Sequence, residues 1–94
     1  GLISTGTLAV SVAHMIAPPH WGEPFQTPEF DEITLVLKGA LIVEHEGGPT
    51  TVLAGQSILT DAGERVRYSC GPAGAEYVAV CLPAFAPDTV NRED

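Results

Sequence analysis

The chain has 94 residues, 45% of them hydrophobic, and sets twelve acids against four bases for a formal charge of −8. That length gives one domain with a modest core, burying roughly 60–65% of the unfolded surface. The charge excludes a nucleic-acid groove, which needs a basic stripe that Lys38, Arg65, Arg67 and Arg92 do not make, and it excludes docking on anionic membranes.

In chain order, residues 7–16 are rich in Val, Ala and Leu and predict a strand that Pro18-Pro19 ends. A loop follows at residues 20–24. Residues 32–38 carry Ile, Thr, Leu and Val in a row and give the strongest strand, with Gly39 as its breaker. Residues 40–46 form the next strand, and Gly47-Gly48-Pro49 a hairpin turn. Residues 50–53 lead into Gly55. Strands are then expected at 56–60 and 66–70, split by a turn at Asp61-Ala62-Gly63. A turn at Gly71-Pro72-Ala73-Gly74 precedes a closing strand over 75–82. Residues 83–94, with two prolines and four charged residues, read as a tail. No segment has sustained helical periodicity, so the fold class is all-β, a sandwich or barrel.

Residues 33–37 are apolar on both parities, which implies cover on both faces of that strand. Together with an apolar content too high for a small monomer to hide, this predicts a homodimer. Cys70 and Cys81 are too few for a secreted disulfide scaffold and read as reduced, partly buried thiols. With no signal peptide and no apolar run of spanning length, the expected location is the cytoplasm.

Two spaced signals carry a family resemblance. Glu32 is followed by six residues and Gly39; Gly55 is followed by five residues, then Asp61-Ala62-Gly63, two more residues and Val66. This spacing resembles the two motifs of the cupins, over about residues 20–82. The resemblance implies a double-stranded β-helix, or jelly-roll, barrel as a single domain over 1–94, with its core at about 7–82. Within that superfamily, residues 25–32 and 36–39, and the closing run 77–83, are similar to the ethanolamine-utilisation Q-type cupins. The acetate kinase-like activity proposed for those proteins is not carried over, because kinship of fold is poor grounds for a reaction.

The cupin pattern places metal-binding histidines where this chain has Gln26 and Pro28, or Phe25 and Thr27 under the other permitted spacing, and Val66. Only Glu32 keeps a ligand type at its position. The resemblance therefore implies a barrel without a standard metal centre and without a cofactor. The alternative is a divalent transition metal on an improvised set drawn from Glu32, Gln26, His14 and His20, since such metals need several converging N or O donors. His45 shares parity with Leu41 and Val43 and is expected to face inward at the far end.

If the resemblance holds, Glu32 points into the barrel with Thr34 and Val36. A carboxylate among apolar walls has a raised pKa and is a candidate general acid or base; the competing role is a structural carboxylate bonded to Tyr68 or a backbone amide. Tyr68 shares parity with Val66, so it either orients a ligand or is a satisfied core aromatic. Trp21 and Phe25 either roof a pocket or plug a small barrel. Arg65, Arg67 and Asp31 take the opposite parity and should face out. The catalytic candidates are thus Glu32 and Tyr68, and the ligand-binding candidates Gln26, Glu32, His14, His20, Trp21, Phe25 and Tyr68. The function expected is binding of a small molecule in the barrel. The alternatives are a metal-dependent isomerase or oxygenase, or a dimeric structural or regulatory barrel.

Overall fold

Six strands and one short turn of 3-10 helix make up the computed structural model, which describes residues 9–93 and the backbone of Leu2–Ile3. The strands are β1 (Leu2–Ile3), β2 (Ser11–Ala17), β3 (Asp31–His45), β4 (Gly48–Leu53), β5 (Ser57–Thr60) and β6 (Arg67–Leu82). Thr7 and Leu8, the start of the expected first strand, lie outside the described residues. Strand order is β1-β2-β6-β3-β4, with β5 against the first half of β3, and every pairing is antiparallel.

β3 and β6 are each twice as long as their sequences suggest. Gly39 does not break the strand, and residues 71–74 do not form a free turn. Both sites are bulges inside continuous strands, and the β3–β6 register shifts between Val36 and Lys38 and again between Gly39 and Leu41. Gly39 takes φ 72° and Gly74 φ 70°, a conformation open to glycine at little cost. Here the backbones also touch. A Cβ on Gly39 would collide with the Gly74 carbonyl oxygen, and one on Gly74 would lie 2.7 Å from the Ala17 carbonyl oxygen. The ladder resumes beyond the bulge, so one long strand serves both halves of the roll.

The first half holds β2, residues 75–82 of β6, residues 31–38 of β3, and β5. The second holds residues 40–45 of β3, β4 and residues 67–70 of β6, extended by bridges from Gly22 to Ser69 and from Gln26 to Val66. The halves close on a shared core in which Val36, Tyr77 and Ala79 of the first meet Leu41, Val43, Val52, Val66 and Tyr68 of the second. Val36, Leu41, Val43 and Val66 are wholly buried. Val66, at the family's histidine position, is therefore core.

The segment read as a tail is part of the roll. Val90 packs with Phe30 and Cys81, and the Phe85 ring meets Phe30 edge-on at 5.9 Å. Backbone amides of Thr27 and Glu29 donate to Asn91 and Thr89, and Glu93 N–H donates to Phe25 at 2.8 Å. This run therefore lies alongside residues 25–29. Among the described residues, no helix is long and apolar enough to cross a membrane.

Candidate functional site

Strand register sets the interior as rows of side chains. Ser11, Cys81, Glu32 and Thr60 form one row across β2, β6, β3 and β5; Ala13, Ala79, Thr34 and Ile58 form the next; Met15, Tyr77 and Val36 the third. The middle row is small at Ala13 and Ala79. That deficit leaves a cavity of about 230 Å³ between Glu32 and Met15, with Phe30, Phe85, Tyr68, Gln26, Glu23 and Arg92 completing its walls.

Glu32 is only 9% exposed. Its Oε2 accepts from Thr34 Oγ1 at 3.2 Å, and its Oε1 takes a weak bond from Cys81 Sγ at 3.7 Å. Burial raises its pKa above the usual carboxylate range, while the bonds from Thr34, Cys81 and Tyr68 pull it partly back. The Tyr68 hydroxyl lies 3.0 Å from Thr60 Oγ1. Burial and then the Glu32 charge drive its pKa upward, so it keeps its proton. Burial, followed by the Glu32 charge, pushes the Cys81 thiol up to about 12, which leaves it a poor nucleophile.

Glu23 reaches the cavity because its N–H donates to the Tyr68 carbonyl at 3.3 Å. Its carboxylate sits 3.6 Å from Arg92 Nη2. Burial raises its pKa, Arg92 lowers it, and Glu32 raises it again. Gln26 is held by two backbone bonds to Val66, each 2.8 Å, and is 4% exposed. Its Oε1 is buried without a hydrogen-bond partner. An orphaned amide oxygen costs about 1–3 kcal/mol until a donor reaches it.

The fold brings together Gln26, Glu32 and Tyr68 of the residues singled out above. The other four are elsewhere. His14 is on the outer face of β2, because Ser11, Ala13 and Met15 take the inward parity; its Nε2 is 2.7 Å from Glu76 Oε2. His20 is exposed in a loop at φ 61° and, with Trp21, lines a separate surface pocket. Trp21 also packs on the main core from that side. Phe25 is covered by Arg65, whose guanidinium carbon is 3.7 Å from the ring centroid, and by Arg67 at 5.2 Å. His45 bonds Thr50 Oγ1 at 2.7 Å, far from Glu32 along β3. The residues that sequence reasoning missed are Glu23, Tyr77, Cys81, Met15, Phe30, Phe85 and Arg92.

A transition-metal centre does not fit this donor set. Of the cupin ligand positions, Pro28 and Val66 offer no donor, and one carboxylate with one amide oxygen falls short of the three or four donors such ions take. Neither His14 nor His20 converges on Glu32. Among the described residues, no group of three or more His, Cys, Asp or Glu is placed to hold a metal ion.

No family model matches the chain. A protein of Myxococcus xanthus (strain DK1622) named endoribonuclease YbeY is 44% identical over 94 residues, taking in 99% of this chain and 32% of that protein. The chain thus spans about a third of the curated relative it matches. Among solved structures, an ethanolamine utilization protein Q from Salmonella typhimurium LT2 superposes with a TM-score of 0.72 at 27% identity, over 89% of this chain and 68% of its own. A sugar phosphate isomerase of a cupin superfamily, from Silicibacter pomeroyi DSS-3, gives 0.69 at 21% identity over 82% and 52%.

Proposed function

We propose that this chain, which shares its fold with a sugar phosphate isomerase of a cupin superfamily and is similar to ethanolamine utilization protein Q, binds a small molecule in its barrel through Glu32. One observation carries this reading: the buried carboxylate of Glu32 lines a cavity whose other walls are largely apolar and aromatic. A buried carboxylate costs stability when that space holds no counterion for it. At about 230 Å³ the cavity is below the size of drug-like pockets and suits a metabolite of few atoms. Glu32, with its raised pKa, stands beside the protonated Tyr68, a base and a donor in one site. That pairing suits proton transfer on a bound molecule.

Met15 is the chain's single methionine and lines the cavity, so its methyl resonance is a single, assigned reporter on that space. A panel of small polar metabolites is expected to include compounds that shift this signal saturably. Ala13→Leu, which fills the middle row, is expected to abolish the shift while preserving the fold. A resonance that no compound moves overturns the proposal.

We infer that the ribonuclease activity named for the Myxococcus xanthus relative lies in the part of that protein outside this segment. All four bases here are already engaged with carboxylates: Lys38 with Glu76, Arg65 with Glu93, Arg67 with Glu44 and Arg92 with Glu23. This local pairing offsets the positive charge that a phosphate backbone would need. The two buried, unbridged thiols suit the reducing cytoplasm.

A second copy is the proposed partner. Val12, Val80, Ile33 and Leu59 form one outward row across four strands, and Val78 and Leu35 continue it in the next. Ile33, Leu35 and Leu37 are 39%, 41% and 43% exposed. A continuous uncharged patch on a chain of charge −8 suits a self-complementary twofold contact. Light scattering at micromolar concentration should give a dimer mass, and Leu35→Glu a monomer of unchanged fold. A monomeric wild type rules the dimer out.

A further inference from the structure

The cavity has a mouth, and one side of it is lightly held. Of the residues lining the space, Met15, Phe85 and Arg92 are exposed. Met15 belongs to β2 and is fixed by pairing with Tyr77 of β6. Arg92 lies on a run that is well tied down. It bridges to Gln26, Asn91 Nδ2 donates to the Thr27 carbonyl at 3.0 Å, and Arg65 donates to Glu93 at 2.6 and 2.8 Å. Phe85 differs. It sits in residues 83–86, between the end of β6 and the 3-10 turn at Pro87–Thr89. Among the described residues, one hydrogen bond joins this stretch to a strand, from Phe85 N–H to Ser11 Oγ at 2.7 Å. The ring adds an edge contact to Phe30 at 5.9 Å, and the residue stays 37% exposed. Backbone held by so few bonds opens locally, at far less cost than unfolding the domain.

Ser11 is placed to make that bond. It is buried, and it stands opposite Cys81 in the β2–β6 ladder, where its hydroxyl bonds the thiol. Its proton is thus spent on Cys81, and a lone pair is left for the Phe85 N–H. We infer that residues 83–86 are a gate on the cavity, with the Phe85 ring as its leaf and the bond from Phe85 N–H to Ser11 Oγ as its latch. Opening swings the ring off Phe30 and clears a way in beside Met15. Closing returns it over whatever has entered. The gate rests on the reading of this space as a ligand site, but its test needs no ligand, so the two fail separately.

The test uses the whole chain and its two buried thiols. Cys81 lines the cavity, and Cys70 lines the separate pocket with His20 and Trp21. Labelling by methyl methanethiosulfonate, followed by mass at each thiol, compares passage through the gate with opening elsewhere. Phe85→Ala should speed labelling of Cys81 by about tenfold more than that of Cys70. Equal acceleration at both thiols, or none at Cys81, overturns the gate. Ser11→Ala should speed amide hydrogen exchange at Phe85 by about fivefold, as the loss of one hydrogen bond gives. An unmoved Phe85 amide overturns the latch. The parent chain supplies a measurement that needs no variant to fold. Its Phe85 N–H should exchange about a hundredfold faster than the Val66 N–H, which is bonded to the Gln26 carbonyl at 2.8 Å. Equal exchange at the two amides overturns gate and latch together.

Discussion

Gly39→Ala is expected to destabilise the protein by about 3 kcal/mol or more, a large part of the roughly 5–15 kcal/mol that holds a small domain together. Two costs combine. A side chain at φ 72° is in the left-handed region, worth about 1–2 kcal/mol against an L-residue. The new Cβ would also run into the backbone carbonyl of Gly74, which cannot swing aside as a side-chain tip can. Relieving that contact means separating β3 from β6 at the bend where both strands cross between halves of the roll. Gly55→Ala is the control. Gly55 has φ 85°, but nothing lies within 4 Å of where its Cβ would stand, so only the backbone cost of about 1–2 kcal/mol applies. Urea denaturation of both variants separates the effects. A Gly39 variant no worse than the Gly55 variant would show that the bend does not depend on close backbone approach.

Glu32→Gln is expected to move stability and ligand binding in opposite directions. Burial raises the folded-state pKa of Glu32 above that of the unfolded chain. Between the two values the folded protein holds the proton more firmly, so the free energy of unfolding falls as pH rises through that window. The loss is complete above the folded-state pKa, where the carboxylate is ionised in both states. Glutamine has no such transition and keeps an oxygen for the Thr34 hydroxyl. The variant should therefore gain about 1 kcal/mol near neutral pH and show a flatter stability profile as pH rises above the ordinary carboxylate range. Some slope should remain from Glu23, whose pKa is also raised. Binding at the cavity should weaken at least tenfold, as expected when a charged partner is lost. If the variant is less stable than the parent at neutral pH, Glu32 is a structural carboxylate and its role in the site falls.

Much of the first half of the roll can be read from residues 32–38. Glu32, Thr34 and Val36 are buried and Ile33, Leu35 and Leu37 exposed, as a two-residue period requires. The parity of Tyr68 followed from Val66 in the same way. His14 could not be placed on such grounds, because Ser11–Ala17 is small or apolar on both parities and only pairing with β6 fixes which face turns inward. Gly39 was misleading for a different reason. A glycine at positive φ looks the same in sequence whether it ends a strand or bends one, and the choice is made by a partner 35 residues away at Gly74. Phe85, Val90 and Arg92 come from a stretch with no periodicity, and their place on the cavity and its flank depends on backbone bonds to residues 25–29.

The pairing of every base with a nearby acid also shapes what happens before any molecule reaches the barrel. With all four positive groups close to acids, the far field carries the net charge of −8 and is negative overall. Such a field concentrates cations around the protein and thins out anions. Arrival rates for positively charged solutes should therefore drop as salt is added, while those of neutral solutes stay level, so ionic strength alone sorts visitors by charge at the threshold.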